Sequence, residues 1–311
     1  MTGSPVSPTP PASTAPGESP GAALAWIDAP RPEGRWGRPD ALALPLSDRA
    51  LLLADGIFET VLVLDGRPRL LAEHLARWHA AAALLAMDPP PDPARVEALI
   101  QEAILRSGIT TGALRLNWSR GSPTAASSRG IAIPEHCRHR FWLQLTPAAP
   151  SFAPLTALVS ATERRDPLSL LNRCKTFAYG NAIQARRLAA AAGADDALLM
   201  STGGELCCAT TANLLLRRGD HWFTPPLASG CLPGVMRARA LGLSLAEEAA
   251  LHPADLPTCR GALLLNSLGC RPIHQLRSPA GHQTLAWPQQ GEAGWASALA
   301  GEAARLWQRL L

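Results

Sequence analysis

The side chains best suited to proton or nucleophile chemistry stand out in this chain by their scarcity. The stretch NRCKTFAYGNA (172–182) holds the single lysine and the single tyrosine of 311 residues, four positions apart, against 28 arginines. Arginine serves wherever charge alone matters, so a lone lysine marks a place where a fixed cation does not suffice. Arg stays protonated, whereas a Lys of lowered pKa works as an amine nucleophile or proton shuttle. Lys175 is therefore the candidate catalytic residue; a solvated helix face is its plainer alternative. Tyr179 shares its face if a helix already runs there, which would bring the hydroxyl to the same site. Packing against a neighbouring sheet is the other reading of that ring.

Thiols are the second reactive set. Cysteines 137, 174, 207, 208, 231, 259 and 270 are odd in number and dispersed, with no CxxC pair. Reduced thiols in a cytoplasmic protein are expected from this pattern. Cys207 and Cys208 adjoin, but no second pair of ligands is spaced to complete a metal site, so none is expected.

The elements that must position these residues read as a soluble α/β protein. Hydrophobic residues make up 47% and charged residues 17%, enough to bury one large core or two medium ones. The net charge of +4 is mild, and basic residues form no run and do not alternate with aromatics, which argues against a nucleic-acid partner. No apolar stretch reaches the roughly 20 residues of a membrane helix. Residues 1–22 are Pro/Ser-rich and read as a disordered tail. A small α/β domain is expected over 23–147 and a larger one over 148–311, joined at the Pro-rich TPAAPSFAP. Within the first, ALPLSDRALLLADGIFETVLVLDGRPRLL reads as short strands broken by turns, including a hairpin at Asp65–Gly66. Helices follow over AEHLARWHAAAALLAM and over DPARVEALIQEAILRSG, which stops at Gly108. Two strands then flank a polar loop at Arg129–Gly130. Beyond the linker, TFAYGNAIQARRLAAAAG reads as one long helix, NLLLRRGDHWFTP as a hairpin, and LPGVMRARALGLSLA as a helix opened by Pro-Gly.

In this order the segments resemble the class IV aminotransferases, the fold-type IV pyridoxal-phosphate enzymes, from about Leu44 to Ile273. LSDRALLLADGIFETV, EHLARW, KTFAYGNAIQARRLAAAAGADDALLM and TPPLASGCLPGVMR are similar to that family's successive blocks. The resemblance implies a two-domain α/β fold, pyridoxal 5'-phosphate as cofactor, and a homodimer. Lys175 would be the Schiff-base lysine. Arg77, Gly234, the Val235 and Met236 amides, Asn266 and Ser267 would hold the phosphate, helix-start N–H groups being ready donors to an anion. Asn213 belongs to the block E-x-x-x-x-N, whose Glu bonds the pyridine nitrogen. Here the count from Asn213 reaches Cys208, and Glu205 lies three residues earlier, on the opposite face of an extended strand. Either a thiol replaces the carboxylate, or the alignment slips by a few residues.

Within the family, CCATTAN, PGVMR and NSLGCRP are similar to segments of the aminodeoxychorismate lyases. Arg129, after SRGSPTAAS, resembles a loop Arg that receives a substrate carboxylate; an exposed loop Arg is its alternative. The resemblance thus implies cleavage of 4-amino-4-deoxychorismate to 4-aminobenzoate and pyruvate, a folate-pathway step downstream of aminodeoxychorismate synthase. A branched-chain or D-amino-acid aminotransferase, or a catalytically weak cofactor-binding protein, are the alternatives.

Overall fold

The computed structural model describes residues 21–28, 34–124, 130–278, 284–287 and 295–311. Of the Pro/Ser-rich tail only Gly21 and Ala22 fall among them, and Arg129 lies outside them.

Two sheets account for the strands. The first comprises β1 (Leu24–Ile27), β2 (Arg35–Gly37), β3 (Gly56–Leu64), β4 (Arg67–Pro68), β5 (Gly112–Pro123) and β6 (Cys137–Pro147), in the order β2-β1-β6-β5-β3-β4. All its pairings are antiparallel. Two helices cover it, α2 (Leu71–Leu84) and α3 (Pro93–Ser107), after a short α1 (Arg49–Leu53). On α3, Val96, Ile100, Ala103 and Ser107 are buried, the stripe that a 3.6-residue period aligns. Val96, Ile100 and Ala103 join Trp26, Trp78, Leu114, Leu116, Phe141, Leu143 and Leu145 in one core.

The second sheet begins after Pro147. Its strands are β7 (Leu155–Arg165), β8 (Asp196–Ser201), β9 (Leu206–Ala209), β10 (Asn213–Arg218), β11 (His221–Thr224), β12 (Glu247–Glu248), β13 (Gly261–Asn266), β14 (Gly269–Arg277) and β15 (Thr284–Ala286). The order runs β12-β11-β10-β13-β14-β7-β8-β9, and β9 also pairs with β10. Six strands, β10-β13-β14-β7-β8-β9, therefore close into a barrel. The seam is a single residue pair, Asn213 against Cys208. Helices α4 (Gly180–Ala191), α5 (Val235–Gly242) and α6 (Trp295–Leu310) accompany this sheet.

Three elements differ from the sequence reading. Residues 49–53 are helical rather than extended, because Asp48 caps them, its Oδ1 accepting the Ala50 N–H at 2.9 Å. Helix α2 ends before Met87, where the buried Arg120 guanidinium takes the carbonyls of Leu85 and Ala86 at 2.9 and 2.8 Å. The third difference matters most for the site. Residues 175–179 are not helical; α4 starts only at Gly180. Instead Phe58 N–H donates to the Lys175 carbonyl at 2.8 Å and Phe177 N–H to that of Gly56 at 3.0 Å. Backbone bonds to β3 thus replace the first helical turns, and Lys175 is stitched to the first sheet while α4 packs on the second.

A β-bulge in β5 requires a glycine. Gly121 has φ 75°, and a Cβ there would lie 1.7 Å from the Arg138 carbonyl oxygen; no other residue fits that approach.

Candidate active site

A cavity of about 600 Å³ is lined from both sheets. Phe58, Thr60 and Arg115 contribute from the first, and Arg165, Cys208, Leu265 and Asn266 from the second. Lys175 opens into it from the segment stitched to β3. Its Nζ lies 3.2 Å from the Tyr179 hydroxyl and 4.5 Å from the Phe58 ring centroid. The helical route expected for the Lys–Tyr contact is absent, yet the contact forms. Tyr179 stands at the N-cap of α4 and a turn, Tyr179 N–H to Phe177 O at 2.8 Å, folds it back. Lys175 has no carboxylate partner among the described residues, so no ion pair withholds its amine.

At one end of the cavity the first turn of α5 presents the Val235 and Met236 amides, with no side chain capping Gly234. Unpaired N–H groups at a helix start bind anions. Gly234 is dictated by its neighbour: a Cβ would lie 2.0 Å from Asn213 Oδ1. The Asn213 carboxamide is itself held, donating to Leu232 O at 3.0 Å. Gly234→Ala, whose backbone φ of −67° tolerates alanine, is therefore expected to displace that carboxamide and cost about 1–3 kcal/mol of stability. Thermal melts of the apoprotein, beside a phosphate-ester titration, check this.

Arg77 comes from α2 and is neutralised by Glu59, a fully buried carboxylate of β3. Its Nε and Nη2 donate to Glu59 at 2.8 and 2.6 Å, and Nη1 donates to Pro233 O at 3.0 Å. A guanidinium has five N–H donors; three are used, and two remain for an anion. Burial alone would push the Glu59 carboxyl up, but the Arg77 charge and hydrogen bonds from His74 and Arg77 hold it down at about 2. His74 Nδ1 lies 2.7 Å from Glu59, and its Nε2 lies 3.2 Å from Ser267 Oγ. The proton count of this chain governs Ser267. Its hydroxyl is free to donate into the cavity only when His74 Nε2 carries a proton; otherwise that hydroxyl donates to the imidazole. Asn266 lines the cavity too, its Oδ1 accepting the Leu268 N–H at 2.9 Å.

The register of β9 and β10 bears directly on Cys208. It stands opposite Asn213 and lines the cavity, whereas Glu205 accepts from Ser229 Oγ at 2.6 Å and does not. Hydrogen bonding with Cys207 pulls the Cys208 thiol below its ordinary value against burial, and the charge of Arg165 adds to the pull.

The cavity is cationic. Arg77, Arg115, Arg164, Arg165 and Lys175 line it, against the single acid Asp166. Arg115 and Arg165 did not stand out in the sequence. Arg115 is half-buried; its Cζ stacks 3.5 Å over the Phe58 ring and its Nε donates to Asn117 Oδ1 at 2.7 Å. Burial presses its guanidinium below the ordinary value, and no described carboxylate pairs with it. The readable signal lay in the alternation of GALRLNWSRG: Leu114, Leu116 and Trp118 fill the core while Arg115, Asn117 and Ser119 take the other face. Glu59 had a signal too, as a charge inside the apolar run GIFETVLVL, which must be paired. Among the described residues no group of His, Cys, Asp and Glu could hold a metal ion, and no helix is long and apolar enough to cross a membrane.

These features meet the needs of pyridoxal phosphate: an unpaired amine, anion donors at a glycine-lined helix start, and room for a ring between them. Known proteins agree. The model of amino-transferase class IV matches residues 56–276. Over 101 residues the chain is 39% identical to a bifunctional aminodeoxychorismate lyase / D-amino acid transaminase of Mycobacterium tuberculosis, a match covering 30% of this chain and 35% of that relative. The chain thus spans about a third of that relative's length. The fold is similar to a 4-amino-4-deoxychorismate lyase from Pseudomonas aeruginosa, with a TM-score of 0.67 and 28% identity over 89% of this chain and 97% of the other. It is also similar to the PLP-bound form of a hypothetical aminotransferase from Mycobacterium tuberculosis, with a TM-score of 0.69 and 24% identity over 90% and 98%.

Proposed function

This chain belongs to the class IV aminotransferase family of pyridoxal-phosphate enzymes, and from that premise we propose that it is a 4-amino-4-deoxychorismate lyase. The observation that carries the reading is Arg115, a guanidinium without a carboxylate partner beside Lys175 and Tyr179, in a cavity whose basic residues outnumber its one acid. Such a cavity suits a substrate that brings two carboxylates besides the cofactor's phosphate. Cys208 at the position of the family's Glu points the same way, as do the lyases among its relatives.

Bound in this cavity, the cofactor supplies an electron sink for the pair left when a C–H bond beside the substrate's amino group breaks. The rest falls to the chain. Lys175 and Arg77 would hold the cofactor, with Val235, Met236, Gly234, Asn266, Ser267 and Asn213 on the phosphate side. Arg115 holds a substrate carboxylate by a charge-assisted pair, and Arg129 is the second candidate for that work. Lys175 Nζ takes the proton from the ring carbon that bears the amine and returns it to enolpyruvate as the C–O bond breaks. The electron pair of that bond leaves with oxygen, and the ring becomes aromatic. Tyr179, hydrogen-bonded to Nζ, positions the amine.

A homodimer is part of this reading, and the consecutive exposed Leu51, Leu52 and Leu53 are the apolar surface it would cover. The enzyme would act in the cytoplasm, downstream of aminodeoxychorismate synthase in folate biosynthesis.

Amino transfer is the second reading, favoured by the bifunctional relative. Pyruvate release from aminodeoxychorismate, measured beside keto-acid-dependent amino transfer from branched-chain and D-amino acids, decides between them. Faster amino transfer would sink the lyase reading, and inertness toward both substrates would favour a cofactor-binding protein. Arg115→Met is expected to raise KM about 10- to 100-fold while changing kcat less, as loss of a charged hydrogen bond does.

A further inference from the structure

The wall that carries Cys208 holds a second unassigned group. Arg165 ends β7, and β8 lies between it and β9, with Arg165 paired to Ser201 and Cys208 to Leu199. Arg165 and Cys208 both line the cavity, and the charge of the guanidinium favours the ionised Cys208 thiol. Nη1 donates to Asn172 Oδ1 at 3.1 Å, while Nε is buried with no hydrogen-bond partner among the described residues.

Among the described residues no carboxylate competes for this wall. Asp166 is exposed and accepts the Leu168 N–H. Asp196 Oδ1 accepts from Thr210 Oγ1 at 2.6 Å and Oδ2 from Arg186 at 2.8 Å, and Glu205 is turned to Ser229. In pyridoxal phosphate the ring nitrogen is para to the ring carbon that bears the aldehyde, the group a lysine amine engages. A cofactor linked to Lys175 with its phosphate at α5 would turn that nitrogen away from Lys175. The Cys208–Asn213 seam ties this wall to the phosphate side, because the Asn213 carboxamide abuts Gly234.

We infer that Cys208 and Arg165 together form the contact for the cofactor's pyridine nitrogen and keep that nitrogen unprotonated. The thiol donates a hydrogen bond to the nitrogen lone pair, and the guanidinium makes a second positive charge beside it unfavourable. The inference rests on the lysine-linked cofactor of the reading above and deepens it. A neutral ring withdraws electrons weakly, which suffices for an elimination driven by aromatisation and penalises full amino transfer.

The test is NMR of the full chain loaded with cofactor carrying ¹⁵N at the pyridine position. The wild type should give the resonance of a neutral, hydrogen-bonded pyridine. Cys208→Glu should move it into the pyridinium range, and Arg165→Met should make the thiol ionise less readily, at higher pH than in the wild type, followed by thiolate absorbance in the apoprotein. A pyridinium resonance in the wild type would overturn the inference without any variant having to fold. So would a Cys208→Glu protein whose resonance is unchanged. The readout is independent of the reaction catalysed: a neutral nitrogen in a fast transaminase would sink the lyase reading alone, and a pyridinium in a proven lyase would sink this inference alone.

Discussion

Lys175→Ala is expected to lower turnover by at least about 10⁴-fold, because in the proposed mechanism one amine both holds the cofactor and carries the proton. The chain offers no second lysine to substitute for it. Lys175→Arg should be as inactive as the alanine variant: it preserves the charge but cannot release a proton near neutral pH. Stability should change little in either case, since the side chain's polar contact among the described residues is the single one to Tyr179. Three measurements follow: single-turnover rates, the absorbance band of a lysine-linked cofactor, and the melting temperature. A variant that keeps the band, or retains a tenth of the activity, would show that the lone lysine is a chance survivor.

Composition made Lys175 legible, since a residue type used once in an arginine-rich chain is conspicuous. Its setting was less so. TFAYGN has helical neighbours, and nothing local says that backbone bonds to β3, more than a hundred residues earlier in the chain, replace the first turns of α4. Tertiary pairing overrode local propensity there. Gly108, the hairpins at Asp65–Gly66 and Gly219–Asp220, and the Pro-Gly opening of α5 were legible because turn chemistry is local. Arg120, which ends α2, acts through carbonyls thirty-four and thirty-five positions away, beyond the reach of any window on sequence. Counting from Asn213 reached Cys208, but only the barrel seam puts the two face to face. Arg115 and Arg165 stayed hidden for a different reason. In a chain with 28 arginines, the type carries no signal; only the want of a carboxylate partner distinguishes the one, and a partnerless buried Nε beside a thiol the other.

The second large effect belongs to Glu59, which touches neither amine nor thiol. It is 1% exposed and receives both Arg77 and His74. Glu59→Gln leaves the Arg77 guanidinium, itself 13% exposed, without its counter-charge. Breaking a buried pair in this way costs about 3–5 kcal/mol, against a total stability of roughly 5–15. Chemical denaturation of the apoprotein should register that loss. The double variant Glu59→Gln, Arg77→Met should recover part of it, because removing both charges leaves nothing unpaired. Acid sensitivity follows with a definite sign. The carboxyl is held at about 2 from an ordinary 4.5, so the stabilisation is complete above the ordinary value. It fades as pH falls between the two and is gone below the lower one. In Glu59→Gln that acid-dependent part of the stability should vanish, flattening the curve between those limits. A variant as stable as the parent, or one with an unchanged acid limb, would mean that the Glu59–Arg77 pair contributes nothing net. Arg77 would then owe its position to Pro233 O alone, and the phosphate end of the cavity would rest on α5.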